Sequence, residues 1–483
     1  MRPAVPRLTV LDDPQKQCLH ESVIALLSRV GARVKEPRAR EILYSAGARV
    51  EGEQVRFPAD VIEKALRSAP RTFRLYTRDG EEALELGADA IYFGSHTDTP
   101  TVYDFDTGEL RGFRLEDLAA AVRVCDALPG IDFVGFSGFD DQIAEATVIP
   151  ALALARAVRS TTKPLQVAGY DVDDTNLMLE VAAAVRGGLQ HLAERPFFFY
   201  YSEPTSPLTH SAPAMRRAMR IAELGLPLVY SPMVLAGATG PATLAGTVVL
   251  ALADALPGIV LAQTIRPGTP CICGGVPTLM DMRTMICSYG AAEMSLMSAA
   301  LTEMVRFYGL PMFSTGGCSD APAVEGQFAA EATFSALSAA LSGADLIHDV
   351  GLLFHASRSS LESFALCDEI IGMVRSFRKG LRLEVEALAL DVIEAGGPQG
   401  HFVTQEHTAL HYRRSWRSVL FDRSMHHDAT REASLHARLR ARTQHLLETH
   451  QPPPLSPGVE AELAQIEGRL LGGRAVASRR ESV

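Results

Sequence analysis

Short apolar runs recur through the middle of the chain and alternate with longer stretches of helical periodicity. The runs occupy residues 90–93, 133–136, 165–168, 197–200, 228–231, 271–274, 312–314 and 346–349. Apolar residues at helical spacing fill 116–128, 148–159, 174–186, 212–224, 244–256, 291–308 and 327–341. A short run that is apolar on both faces has to be covered on both faces. Helices between successive runs supply that cover, so the alternation predicts parallel strands. Eight of them closing on themselves make a (β/α)8 barrel, the TIM-barrel form of the α/β class. An open, doubly wound sheet is the alternative, but no GxGxxG follows an early strand.

The pattern differs at the two ends. Residues 17–29, 37–46 and 58–69 have helical spacing, and Pro58 followed by Ala59 and Asp60 suits a helix start. These predict an N-terminal helical cap over 1–85. The sequence DTG at 106–108, flanked by 101–104 and 109–113, predicts a hairpin at the edge of the barrel. The barrel is expected over 86–385, catalytic, followed by a C-terminal helical region over 386–471 that opens with GLRLEVEALALDVIEAGG from Gly380. The last residues, 472–483, are small, polar and charged and read as a loose tail.

Composition narrows the function. The chain has 483 residues and a formal net charge of −11, the wrong sign for a nucleic-acid binder. Its seven cysteines are scattered at 18, 125, 271, 273, 287, 318 and 367, which is no secreted disulfide framework. MRPAVPRLTVLDDPQ brings acids before any long apolar run and argues against a signal peptide. The richest apolar stretch, 243–255, is interrupted by polar or acidic residues, so no membrane span is expected. A cytoplasmic location follows as an expectation.

In a barrel the chemistry sits just after each strand. GSHTDTP after the first run brings His96 and Asp98; FFFYYSEP (197–204) brings Phe199, Tyr201 and Glu203. The seventh run is followed by GGCSD with Asp320, and the eighth carries His348 and Asp349. Aromatic faces beside a carboxylate attract a quaternary ammonium through cation–π attraction plus charge. The plainer alternative is that aromatic residues in a strand are core. Cys271 and Cys273 alternate on a strand with no second pair nearby, so they read as small apolar residues and no metal site is expected. Cys318 has no identifiable base. The AGATG run at 236–240 lacks the lysine of a phosphate-binding loop and reads as a tight turn. Glu406-His407-Thr408 and Asp422-Arg423 read as helix-end and surface groups.

Several stretches resemble the trimethylamine methyltransferase family. They are VYDFDTGELRGFRLEDL (102–118), SEPTSPL (202–208), AGATGPATLAG (236–246), GIVLAQTIRPGTP (258–270), RFYGLP (306–311), SDAPAVEGQFAAE (319–331), SGADLIHDVGLL (342–353), DEIIGMV (368–374) and EHTALHYR (406–413), in the family's order. The resemblance implies a (β/α)8 barrel. It also implies transfer of a methyl group from a methylated amine to the cobalt of a corrinoid (cobalamin) carried by a separate protein, with no cofactor held tightly by this chain. The archetypal trimethylamine enzymes contain pyrrolysine. This chain has none, so it resembles the non-pyrrolysine branch, associated with glycine betaine and other quaternary amines.

From their places at the ends of the predicted strands, Asp320 and His348 are expected to be catalytic, and Phe199, Tyr201, Glu203 and His96 to bind substrate. The chain departs from the family where Thr-Asp-Ser-Lys is common and Ser319-Asp320-Ala321-Pro322 stands here. A substrate carboxylate that used the lysine would need another cation, with Arg358 and His348 as candidates. Two other function classes compete. One is a hydrolase or lyase using His96, Asp98, His348 and Asp349 without a corrinoid partner; the other is a non-catalytic amine-binding barrel. A homo-oligomer is left open.

Overall fold

The computed structural model describes residues 3–140, 142–143, 145–423 and 434–472. The expected tail, from residue 473 onward, lies outside the described residues.

Eight parallel strands close into a barrel in chain order. They are β1 (Tyr92–His96), β2 (Phe133–Phe136), β3 (Leu165–Ala168), β4 (Phe198–Ser202), β5 (Leu228–Tyr230), β6 (Cys271–Gly274), β7 (Met312–Thr315) and β8 (Leu346–Val350). β8 pairs back onto β1. The helices between and after them are α1 (Leu115–Ala127), α2 (Ile149–Ser160), α3 (Val172–Arg186), α4 (Ala212–Leu224), α5 (Leu244–Ile265), α6 (Ala292–Phe307), α7 (Gly326–Ser342) and α8 (Leu361–Arg378). Local chemistry sets several of their ends. Asp171 caps α3 through Val172 N–H, and α3 stops at Gly187 with φ +73°. Ser211 caps α4, which stops at Gly225 with φ +69°. Only glycine takes such left-handed ends without penalty.

Two sequence expectations need correction. α5 does not end at residue 256 but runs through Pro257 to Ile265, 22 residues in all. Proline forfeits one helical hydrogen bond. Burial against α4, α6 and the N-terminal helices outweighs that loss. By length and composition this helix could cross a membrane, contrary to the expectation that no stretch is long enough; here 78% of its most apolar window is buried inside the protein. The second correction concerns the cap. Three helices do lie where expected, Asp13–Arg29, Pro37–Ser45 and Ala59–Ser68. They are followed by an antiparallel hairpin, Phe73–Tyr76 with Glu82–Leu86, that the periodicity did not reveal.

That hairpin fixes the floor of the barrel. Leu75, Leu84 and Leu86 pack into one cluster with the inward side chains Phe133, Phe199, Val229, Ile272, Phe313 and Leu346. The hairpin therefore plugs the end where the strands begin. Above it, Phe199 stands edge-on to Phe133 (centroids 5.4 Å) and to Phe313 (6.0 Å). Gly94 makes room for this layer, because a Cβ there would overlap the Phe133 ring.

At the opposite end a three-stranded sheet of Met233–Ala236, Val276–Asp281 and Ile286–Ser288 rises beside the mouth. The expected hairpin at Thr101–Tyr103 and Leu110–Gly112 is joined there by Arg358–Ser359. The C-terminal helices Leu435–Thr449 and Pro457–Gly472 grip the outside of the barrel. Arg442 pairs with Asp368 of α8 (2.9 Å), and Arg159 of α2 with Glu460 (2.8 Å) and Glu467 (3.0 Å). Glu406–His411 is a short exposed helix on which the His407 and His411 rings stack at 4.2 Å; Arg423 lies over Trp416. Both clusters fill the surface roles expected of them.

The plug gives a stability prediction. Leu75 is fully buried, and Leu75→Ala is expected to lower the unfolding free energy by about 2–5 kcal/mol. A denaturant titration followed by circular dichroism measures it. A change within the error of the wild type would mean that the hairpin does not close the barrel in solution.

Candidate active site

Side chains alternate along a strand, so two residues beyond the floor layer the inward set continues as Gly135, Tyr201, Ser231, Gly274, Thr315 and His348, with His96 from β1. Glu203 prolongs the β4 set past the strand end. These residues ring a cavity whose base is aromatic.

Tyr201 and Glu203 form one wall. The Tyr201 hydroxyl lies 2.8 Å from Glu203 Oε2 and 3.2 Å from the Ser231 carbonyl oxygen. The Tyr201 ring leans on Phe313 at 5.8 Å. Glu203 is surrounded by protein yet its side chain remains open to water, as a group on a cavity wall does. Burial pushes its carboxyl above the ordinary value of 4.5, and the Tyr201 hydrogen bond offsets part of that rise. Burial and the Glu203 charge hold the Tyr201 phenol neutral, far above its usual range.

His96 forms the facing wall. Its Nε2 lies 3.2 Å from both Asp98 Oδ1 and Ser137 Oγ. The bare Cα of Gly135 leaves room beside the ring: a Cβ there would come within 3.2 Å of His96 Nδ1. Burial works against a charged His96, but the Asp98 hydrogen bond and the charges of Asp98 and Asp349 outweigh it, and the pKa lies above 6.5. Asp98 is itself buried and accepts from the backbone N–H groups of Ser137 (2.9 Å), Gly138 (2.5 Å) and Phe139 (3.1 Å).

β8 supplies two consecutive residues, which a regular strand could not aim into one cavity. The ladder between β8 and β1 slips between Ile347 and Val350, and Asp349 adopts φ +68°. Such a bulge re-aims side chains at a barrel rim. The His348 ring stacks on Phe313 at 3.9 Å and its Nε2 meets Thr315 Oγ1 at 3.1 Å. Its Nδ1 is 2.7 Å from Asp349 Oδ1 but off the line that a hydrogen bond needs.

Asp320 has a different part from the catalytic one expected. Its carboxylate accepts from Ser288 Oγ (2.5 Å), Tyr289 N–H (2.6 Å) and Gly290 N–H (3.0 Å), and meets His355 Nδ1 at 2.9 Å. With four partners it positions Tyr289 and His355. Phe199 is likewise a correction: it is fully buried in the floor and supports Tyr201 from below instead of touching a ligand. Sequence reading missed Tyr289 and His355, which come from loops that long-range hydrogen bonds bring to the mouth.

The other candidates resolve simply. Cys271 and Cys273 face the outer core, where Gln263 Nε2 is 3.3 Å from Cys271 Sγ. Burial and the nearby Asp349 and Asp320 charges keep the Cys318 thiol protonated. Among the described residues no three His, Cys, Asp or Glu side chains gather as metal ligands. The three N–H donors on Asp98 leave it no free basic role of the kind a hydrolase would need.

The chain matches the trimethylamine methyltransferase (MTTB) family over residues 1–469. It belongs to that family. A glycine betaine methyltransferase of Desulfitobacterium hafniense is 32% identical over 462 residues, covering 95% of this chain and 96% of that protein. A trimethylamine methyltransferase, MttB, of the same species is 30% identical over 472 residues, 95% and 93% of the two chains. Among solved structures, the Methanosarcina barkeri monomethylamine methyltransferase (MtmB) superposes with a TM-score of 0.54 at 13% identity, covering 92% of this chain and 88% of that one. At that identity the likeness shows the barrel fold alone. The protein is thus an enzyme of the methylamine methyltransferase type.

Asp320→Ala should leave four donors without their acceptor and lower stability by about 3 kcal/mol. Asp320→Asn, which still accepts through Oδ1, should recover part of it. Denaturant unfolding of the two variants checks this, and equal stability of wild type and Asp320→Ala would rule out the clamp.

Proposed function

We propose that this family member takes a methyl group from a quaternary amine and passes it to the cobalt of a corrinoid carried by a separate protein. The observation that carries the reading is the wall of Tyr201 and Glu203 above an aromatic floor. It presents a ring face and a carboxylate without an Arg or Lys ion pair among the described residues. A cation over a desolvated ring gains on the order of 1–2 kcal/mol, and a facing carboxylate adds to it.

The chemistry suits what the cavity lacks. A reduced corrinoid acceptor attacks the methyl carbon in line. The new bond forms at that carbon as its bond to nitrogen breaks, and the electron pair stays on nitrogen. From a quaternary ammonium the product is a neutral tertiary amine, so no proton has to be delivered. The residues need to orient and desolvate one methyl group. Tyr201 and Glu203 hold the ammonium, the His348 ring, stacked on buried Phe313, makes a flat wall beside it, and the open mouth admits the acceptor. A neutral tertiary amine would lose the charge attraction, and its leaving nitrogen would need a proton. We also propose that the enzyme works in the cytoplasm, where a reduced corrinoid and the chain's free thiols persist.

Methyl transfer measured with reduced cobalamin should favour each quaternary amine over its tertiary counterpart, choline over dimethylethanolamine for example. Tyr201→Ala should weaken quaternary binding about tenfold. Equal transfer from both members of each pair would sink the reading.

The cavity also predicts a pH dependence. Glu203 must be ionised to hold the cation, and burial has raised its pKa above 4.5. Cation affinity should therefore fall as pH drops through that raised value, earlier than for an exposed glutamate. Protonation of His96, whose pKa lies above 6.5, acts in the same direction at higher pH. Calorimetry from pH 8 downward should show two steps of loss, and Glu203→Gln should remove the lower one.

A further inference from the structure

Three carboxylates each have an imidazole beside them: Asp98 with His96 at 3.2 Å, Asp349 with His348 at 2.7 Å and Asp320 with His355 at 2.9 Å. The pairs come from β1, from β8, and from the β7 and β8 loops. Glu203 differs from them: it has no Lys, Arg or His ion pair among the described residues. Its hydrogen bond comes from the neutral Tyr201 hydroxyl. Arg217 acts on it from farther off, through a guanidinium that donates to the Tyr170 carbonyl. Glu203 therefore offers the cavity a carboxylate with no cation paired to it, which matches a cationic ligand.

We propose that the substrate is a quaternary ammonium with an uncharged, hydroxyl-bearing tail, of the choline class, and that Glu203 is the residue that turns away carboxylated betaines. This rests on the quaternary-amine reading above. In a betaine of the glycine type the carboxylate is one methylene from the nitrogen. It would lie close to the acid that holds the ammonium, and the two like charges would repel. A hydroxyl in the same place carries no charge and finds partners. The Tyr289 hydroxyl and His96 Nδ1 both border the mouth, and neither has a hydrogen-bond partner among the described residues. The two cations considered for a substrate carboxylate are already engaged. His348 has Asp349 against it, and Arg358 lies 3.8 Å over the Phe354 ring with Tyr103 Oη at 3.4 Å.

The test is calorimetry on the full chain with tetramethylammonium, choline and glycine betaine. Choline should bind tightest and glycine betaine roughly tenfold or more weaker than choline. In Glu203→Gln, choline and tetramethylammonium should each weaken while glycine betaine does not, so the choline-to-betaine ratio collapses toward one. Should that variant fail to fold, the wild-type ranking decides alone. Glycine betaine binding tightest in the wild type, with the preference lost in Arg358→Gln, would overturn the inference and place a carboxylate on Arg358. Tetramethylammonium binding with choline and betaine equal would overturn the charge filter and leave the quaternary-amine reading intact. Failure of all three ligands to bind would remove that reading and the inference with it.

Discussion

An eight-stranded barrel has an interior that must be filled, and here three phenylalanine rings fill it. Phe133, Phe199 and Phe313 meet edge to face across the axis, over a leucine plug from the 73–86 hairpin. Everything functional stands on that layer. Phe313 carries the His348 ring on one side and the Tyr201 ring on the other. Tyr201 in turn holds the Glu203 carboxyl. Edge-to-face packing fixes each ring against rotation, so the positions above inherit a defined height and tilt. The depth of the cavity is set by where the rings stop.

A cavity with this many carboxylates would repel itself if they were left alone. Each is compensated differently. Asp98 takes three backbone N–H groups and an imidazole, and Asp320 takes two N–H groups, a hydroxyl and an imidazole. Asp349 has one imidazole at contact distance. The compensation is built from neutral dipoles and histidines, not from lysine or arginine. The individual acids are thereby held in place.

All eight strands could be read from the sequence, because strands buried on both faces are runs of apolar residues and the helices between them keep their period. Boundaries moved where a strand ran on into polar residues: β1 was expected at 90–93 and ends at His96. That shift puts His96 on the rigid strand instead of in a loop. Tyr201 and Glu203 were legible because they continue an inward alternation. The 73–86 hairpin was not, since its leucines are few and its meaning depends on the barrel above it. Tyr289 and His355 were invisible for a related reason. Nothing local marks them; they reach the mouth through Asp320, which is 31 residues from one and 35 from the other.

Asp320 also ties the β7 loop to the turn after β8. After β8 the chain holds Phe354, His355 and Ala356 at φ +46°, +57° and +60°, three consecutive non-glycine residues in the left-handed region. Such residues cost on the order of 1–3 kcal/mol each and persist only where surrounding contacts over-determine them. Here the contacts come from the β7 loop. Phe354 N–H donates to the Ala321 carbonyl at 3.0 Å, Gly351 N–H to the Gly317 carbonyl at 2.8 Å, and His355 meets Asp320. Ala321 contributes a backbone oxygen, so its own side chain can be small. Pro322 does the same, its carbonyl accepting from the Tyr103 hydroxyl at 2.8 Å. What the loop requires at 320 is a carboxylate with several acceptor positions, held in turn by Glu331 on its own N–H at 2.9 Å. A lysine two residues on would add charge at the rim but nothing to this scaffold. Pro322 serves the loop through its backbone alone.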